Sequence, residues 1–234
     1  MYERTIHLPF SHPGNADLLD LGSGKLLKTT IVGTEKLDGS TVELGPARVW
    51  VNSENTIHPH LLNINRDLRS LLKGEVYVYG EWLKYVHAIT YKHPHPFYLF
   101  AVKEIEQGKV SWWSWAKVQS LACQVRVASV PVLVKPCRIG TIEELKQVTK
   151  FRVLQGSSLT GECEGIVWRT ASAFTDFAAN VRKYVRKDHV QTLEHWSQQR
   201  QLQPLCWNYC GSRLQYGGIK SSLPEREDQI KEED

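Results

Sequence analysis

Long hydrophobic runs are missing from this chain. None of its apolar stretches approaches the roughly 20 residues that cross a bilayer. The N-terminal stretch Met1-Tyr-Glu-Arg-Thr-Ile-His7 lacks the charged-then-apolar pattern of a secretory leader, so a cytoplasmic protein with no membrane partner is expected. Cysteine is scattered: Cys123, Cys137, Cys163, Cys206 and Cys210 are odd in number and contain no CxxC pair. That pattern argues against a disulfide framework and for reduced thiols. Neither GxGxxG nor GxxxxGK[ST] occurs, which excludes the two commonest glycine-rich phosphate cradles. No repeat at solenoid spacing is found either.

What is present fits an ordinary globular protein. The chain has 234 residues, 41% hydrophobic and 23% charged, enough for one large domain or two small ones. The formal net charge of +4 is mildly basic and compatible with nucleic acid. Eight tryptophans offer flat faces for packing or for stacking on bases.

The residue pattern predicts the elements. Residues 28–51 read as two strands around a turn at Asp38-Gly39, with Val42, Leu44, Val49 and Val51 facing inward. Residues 60–73 carry Leu61, Ile64, Leu68, Leu71 and Leu72 at helical spacing, and Gly74 stands where a left-handed cap would sit. Strands are expected at Glu75 to Leu83, Pro96 to Lys103, Val130 to Val134 and Glu164 to Trp168, and at the end of Phe174 to Arg186. Trp113 to Leu121 and Thr141 to Val153 read as helices, the second opened by a Thr141/Glu144 capping box. After about residue 200 the pattern fails. The charged stretch Pro224 to Asp234 is expected to be a disordered tail. The sum is an α+β protein with an antiparallel β core and flanking helices.

Three histidine and cysteine groupings call for plainer readings. His58-Pro-His60 and His93-Pro-His95 have no partner cysteines or HExxH spacing, so loop histidines are favoured over a zinc site. Cys206 and Cys210 have no second ligand pair downstream. Trp112, Trp113 and Trp115 are expected to pack a core at a helix start, with base stacking as the alternative.

The chemistry centres on Glu35-Lys36-Leu37-Asp38-Gly39. A lysine at a strand end beside a turn glycine reads either as a hairpin with surface charges or as a nucleophile. An amine attacks only when neutral, so a nucleophilic lysine needs its pKa lowered by burial, cations or metal. Three features follow in order: Gly80-Glu81 on a strand, Glu164-Gly165-Ile-Val167, and the basic strand Val181-Arg182-Lys183-Tyr-Val-Arg186-Lys187. Between the first two lies the aromatic run Phe97-Tyr-Leu-Phe100.

This ordered set resembles the covalent nucleotidyltransferase superfamily of ATP-dependent ligases and capping enzymes, and within it the RNA ligase family. The resemblance covers roughly residues 1–200. It implies a nucleotidyltransferase (ATP-grasp-like ligase) fold with the β core around a nucleotide cleft. It also divides the chain into an adenylyltransferase domain, 1–200, and a C-terminal extension, 201–234. The implied activity joins 5′-phosphate and 3′-hydroxyl RNA ends, as in RNA repair, through a lysyl-AMP and an adenylylated 5′ end. ATP and Mg²⁺ (or Mn²⁺) are the implied cofactors.

By resemblance Lys36 is the nucleophile, and Glu35, Asp38, Gly39, Glu81, Phe100, Glu164, Lys183 and Arg186 form the nucleotide site. Glu35 would lie beside the adenine edge, Glu81 would accept from the ribose hydroxyl and Phe100 would stack on adenine. Glu164 would help hold the metal or orient Lys36. Lys183 would contact the α-phosphate, with Arg186 as the alternative cation because Val185 stands where a second lysine is common. Arg48 and Asn52 are alternatives for a further phosphate contact. About 34 residues after position 200 cannot build a domain with its own core, which leaves a minimal ligase, a subunit that needs a partner protein or domain to grip nucleic acid, or an adenylyltransferase with another acceptor. The rival readings are an adenylyltransferase or DNA-end ligase using the same lysine, and a non-catalytic RNA-end-binding module.

Overall fold

β-Branched and aromatic residues at alternating positions build two sheets, and the chain crosses between them at Asp38-Gly39. The structure, a computed structural model, describes residues 1–12, 26–52, 54–187, 189 and 201–207. The expected tail at Pro224 to Asp234 lies outside the described residues.

The first sheet contains β1 (Ile6–His7), β2 (Thr30–Lys36), β9 (Val132–Arg138), β10 (Gly165–Thr170) and β11 (Val181–Val185), in the order β1-β11-β10-β2-β9. The second runs β4-β3-β5-β6-β7: β3 (Ser40–Leu44), β4 (Val49–Val51), β5 (Glu75–Trp82), β6 (Phe97–Glu106) and β7 (Lys109–Trp112). The short β8 (Ala128–Ser129) joins it parallel to β6. The α+β architecture expected from the sequence is therefore present. All named pairings are antiparallel except β1 with β11 and β6 with β8.

One expectation needs correction. The two strands read around Asp38-Gly39 do not pair with each other. β2 pairs with β10 and β9, whereas β3 pairs with β4 and β5. The crossing is fixed by tertiary contacts. The Asp38 carboxylate accepts from the Ala88 and Ile89 amides at 2.7 and 3.0 Å, and the Asp38 amide donates to the Tyr91 hydroxyl at 2.8 Å. Gly39 is pressed against β5. A Cβ there would come within 2.7 Å of the Trp82 carbonyl and of Leu83, so only glycine fits.

The helices follow their patterns. α1 (Pro59–Leu71) buries Leu61, Ile64 and Leu68, each contributing about 1.5–3 kcal/mol of apolar burial. His58 caps it, its Nδ1 accepting from the His60 amide at 3.2 Å, and Gly74 beyond its end is left-handed at φ +79°. α2 (Trp115–Gln124) packs on β6 and β8 and buries Val118 and Leu121 in the core that also holds Leu61, Val78 and Val102. α3 (Ile142–Leu154) covers the outer face of the first sheet, where Leu145 and Val153 meet Ile166 and Trp168. Thr141 caps α3 by accepting from the Glu144 amide at 3.1 Å, and the Glu144 carboxylate reaches back to the Gly140 amide at 3.0 Å. α4 (Phe177–Asn180) is a single turn before β11. Residues 201–207, read as the start of an extension, return to the body. Gln203 is buried and bonds the Tyr91 amide and the Ile89 carbonyl. Among the described residues no helix is long and apolar enough to cross a membrane.

Candidate active site

Alternation along the strands decides what faces the space between the sheets. Lys36 and Thr34 on β2, Val167 on β10 and Lys183 on β11 share one face of the first sheet, because Lys36 is in register with Gly165 and Thr34 with Val167, which in turn faces Lys183. Opposite them, Thr41 and Glu81 are in register on β3 and β5. A cavity of about 590 Å³ opens between the two faces. Lys36, Gly39, Glu81, Phe100 and Lys183 line it. The fold thus brings together five sequence-predicted residues that span 148 positions of the chain.

Lys36 sits at the end of β2 with its Nζ 2.5 Å from Glu164 Oε1. The Glu164 side chain is fully buried, while that of Lys36 is 23% exposed toward the cavity. Gly165 allows this meeting. A Cβ at Gly165 would lie 1.9 Å from the Tyr184 carbonyl, so any other residue would push β10 away from β11. Burial alone would lower the Lys36 pKa, but the carboxylates of Glu164, Glu81 and Asp38 outweigh it and raise it. The resting amine is an ammonium. Burial likewise raises Glu164, against the pull of Lys36. Glu81 is pushed up to about 8 by burial, with Lys36 pulling down and the neighbouring acids pushing up.

Three predicted residues take other places. Glu35 borders the cavity, but alternation turns its side chain to the outer face of β2, opposite Ile166. There burial pushes its carboxyl up to about 7, against a downward pull from Ser157. Asp38 is buried behind the cavity, holding Ala88 and Ile89 as described above. Arg186 does not reach the cavity. Its guanidinium pairs with Glu162 at 2.7 Å on the surface, because it lies beyond the end of β11, so Lys183 is the cation delivered inward. Of the further phosphate-contact alternatives, Asn52 lines the cavity and Arg48 pairs with Glu43 at 3.5 Å.

The remaining histidine and tryptophan groupings have structural places. His58 and His60 pack against Trp82 and Trp207 at the start of α1. Trp112, Trp113 and Trp115 are core residues, and Trp112 also borders the cavity. Among the described residues Cys123, Cys137, Cys163 and Cys206 form no disulfide, and Cys210 lies outside the described residues.

Sequence reasoning gave no role to three residues that the fold brings to this region. Tyr2 enters the cavity beside Phe100, ring centroids 5.0 Å apart. Arg169, buried at the cavity wall, donates to the carbonyls of Phe100 and Trp113 at 3.3 and 2.5 Å, linking β10 to the second sheet. His189 follows β11 and turns its Nε2 to 3.6 Å from Glu164 Oε1 and 3.8 Å from Asp38 Oδ1. Donor atoms of Asp38, Glu164 and His189 all lie within 4.8 Å of one another. This is a donor set that suits a divalent cation: two carboxylates and an imidazole, all buried. Only the alternating basic pattern before His189 hinted at this region, and spacing alone could not have joined it to Asp38.

Comparison with known proteins bears on this arrangement. The sequence profile of the RNA ligase family matches residues 29–185. A search of curated proteins finds no match. Among solved structures, an apo mutant of Naegleria gruberi RNA ligase is similar at 18% identity and a TM-score of 0.48, covering 68% of this chain and 50% of that one. The same enzyme with PPi is similar at 16% identity and a TM-score of 0.48, covering 79% of this chain and 60% of that one. A mutant of that enzyme with ATP and Mn is similar at 18% identity and a TM-score of 0.48. The chain spans between half and three fifths of the length of these structures. The matched stretch holds Lys36, Glu81, Phe100, Glu164 and Lys183, and it covers well over half of the sequence: the chain belongs to the RNA ligase family.

Proposed function

We propose that this protein is an ATP-dependent RNA ligase that works through a lysyl-AMP on Lys36. The observation that carries this reading is the Lys36–Glu164 pair at the wall of a cavity that also holds Lys183 and Glu81. In the first step neutral Lys36 Nζ attacks the α-phosphorus of ATP. An N–P bond forms, the P–O bond to pyrophosphate breaks, one N–H proton passes to solvent, and pyrophosphate leaves. The AMP then passes to a 5′-phosphate, and a 3′-hydroxyl displaces it, leaving a phosphodiester and free AMP.

The side chains divide these tasks. Phe100 stacks on the adenine, Glu81 accepts from a ribose hydroxyl, and Lys183 offsets charge on the α-phosphate. Glu164, with the Asp38 carboxylate beside it, would help hold a divalent cation, Mg²⁺ or Mn²⁺. Such a cation supplies positive charge that disfavours the ammonium of Lys36 and neutralises phosphate oxygens. Residues 1–200 form the adenylyltransferase unit. Strand joining is proposed to use a partner protein or domain that grips the nucleic acid.

The test is labelling with ATP carrying a radioactive α-phosphate, in the presence of the metal, followed by a denaturing gel. The wild-type protein should carry label and Lys36→Ala none. A folded, unadenylylated wild-type protein that takes no label overturns the reading in favour of an RNA-end-binding module. Adding nicked RNA or DNA duplexes to the labelled protein then separates RNA joining from DNA-end ligation.

A further inference from the structure

We infer that Asp38, Glu164 and His189 form a resident site that binds a borderline divalent transition ion directly, before any nucleotide arrives. The inference rests on the reading of this end of the cavity as its metal-holding end, and it adds two things: His189 as an inner ligand, and filling without ATP.

The three donors come from separate parts of the chain: the turn after β2, the residue before β10 and the segment after β11. Each residue is more than nine-tenths buried. His189 Nε2 makes no hydrogen bond among the described residues, and water does not reach it. A buried imidazole nitrogen without a partner is costly, and a metal ion would satisfy it. The spacing is close to what an ion needs. Metal–ligand bonds of about 2.0–2.2 Å place neighbouring donors roughly 3.0–3.5 Å apart. His189 Nε2 stands 3.6 and 3.8 Å from the two carboxylate oxygens, and all three donors lie within 4.8 Å of one another, so an ion would draw them inward.

Orientation is already supplied. Asp38 Oδ2 is held by the Ala88 and Ile89 amides, which leaves Oδ1 toward His189. Lys36 Nζ touches the same Glu164 oxygen that faces His189, so a cation already sits on this carboxylate. A carboxylate offers about four lone-pair sites and can serve Lys36 and a metal together. The donor set also selects. Mg²⁺ prefers oxygen ligands and keeps its waters, whereas an imidazole beside two carboxylates binds Co²⁺ or Zn²⁺ more tightly than Mn²⁺.

The full chain, freed of metal, should be titrated with Co²⁺ by visible absorption and with Mn²⁺ by electron paramagnetic resonance, with no nucleotide present. One ion per chain is expected, with an imidazole-nitrogen coupling in pulsed spectra. A large excess of Mg²⁺ should fail to displace it. His189→Gln should weaken Co²⁺ binding at least tenfold with unchanged circular dichroism. No stoichiometric binding without ATP, or binding with no nitrogen coupling, overturns the site, and the second readout needs no variant to fold. Equal binding by wild type and His189→Gln also overturns it. The covalent-labelling test stands apart. Label on Lys36 without resident metal sinks this inference alone, and resident metal without label sinks the ligase reading alone.

Discussion

Behind one end of the cavity, where Lys36 lines it, Glu164, Asp38 and His189 join that lysine to crowd four ionisable groups into a space that is almost closed to water. At the other, Tyr2, Phe100, Trp112 and Phe177 meet ring to ring, with centroids 4.8 to 5.6 Å apart in the pairs made by Tyr2 with Phe100, Trp112 and Phe177 and by Trp112 with Phe177. The charged end stores electrostatic energy in fixed positions, and its groups answer to one another's charge. The aromatic end offers area and flat faces that are indifferent to charge. A nucleotide has the same two-part chemistry, anionic phosphates joined to an aromatic base, so under the proposed function the charged end takes the phosphates and the aromatic end takes the base.

Mutation at each end should separate the two contributions. Glu164→Gln should have the larger effect. It keeps the shape but removes the charge opposite Lys36, and adenylylation should fall about a hundredfold in kcat/KM, in the range seen when one preorganised electrostatic group is lost. Single-turnover labelling measures it, and a rate within threefold of wild type would show that the pair is only structural. At the aromatic end, Phe100→Ala should raise KM for ATP about tenfold with kcat little changed, since one base–aromatic stack contributes about 1–3 kcal/mol. A fall in kcat instead would mean that Phe100 positions the phosphates and that the two ends are not separable.

The smallest effect lies at the border of the cavity, on the far face of the strand that carries Lys36. Glu35 has its pKa raised from 4.5 to about 7 by burial. A raised acid is held protonated more tightly by the folded chain than by the unfolded one, so its contribution to stability is full below pH 4.5 and is lost as pH rises through 7. Glu35→Gln should therefore flatten the fall of Tm between pH 5 and 8 and raise Tm at pH 8, by no more than about 3 kcal/mol of stability. Thermal melts across that range check it. Unchanged labelling in this variant would place Glu35 outside nucleotide binding, in contrast to both cavity ends.

Much of this could be read before any coordinates. The capping threonine of α3, the left-handed Gly74 and the apolar faces of α1 and α3 are local features, set by hydrogen bonds and periodicity within a few residues. The order of Lys36, Glu81, Phe100, Glu164 and Lys183 was legible for a related reason. Each sits on or beside a strand whose alternation fixes the side it faces, and the glycines at 39 and 165 mark places where backbones touch. Arg186 shows the limit of such reading: one position past the strand end, alternation no longer directs the side chain, and a surface acid captures it.

Local spacing was enough for the elements, and an ordered set of residues was enough for the family. Tertiary structure alone decided that β2 and β3 part into different sheets at Asp38, since the bonds that hold the turn come from residues 88, 89 and 91. It alone brought Tyr2 to Phe100, Arg169 to the second sheet and His189 to Asp38, 151 positions away. Contacts of that range are chosen by the packing of two whole sheets, and no short pattern in a chain encodes them.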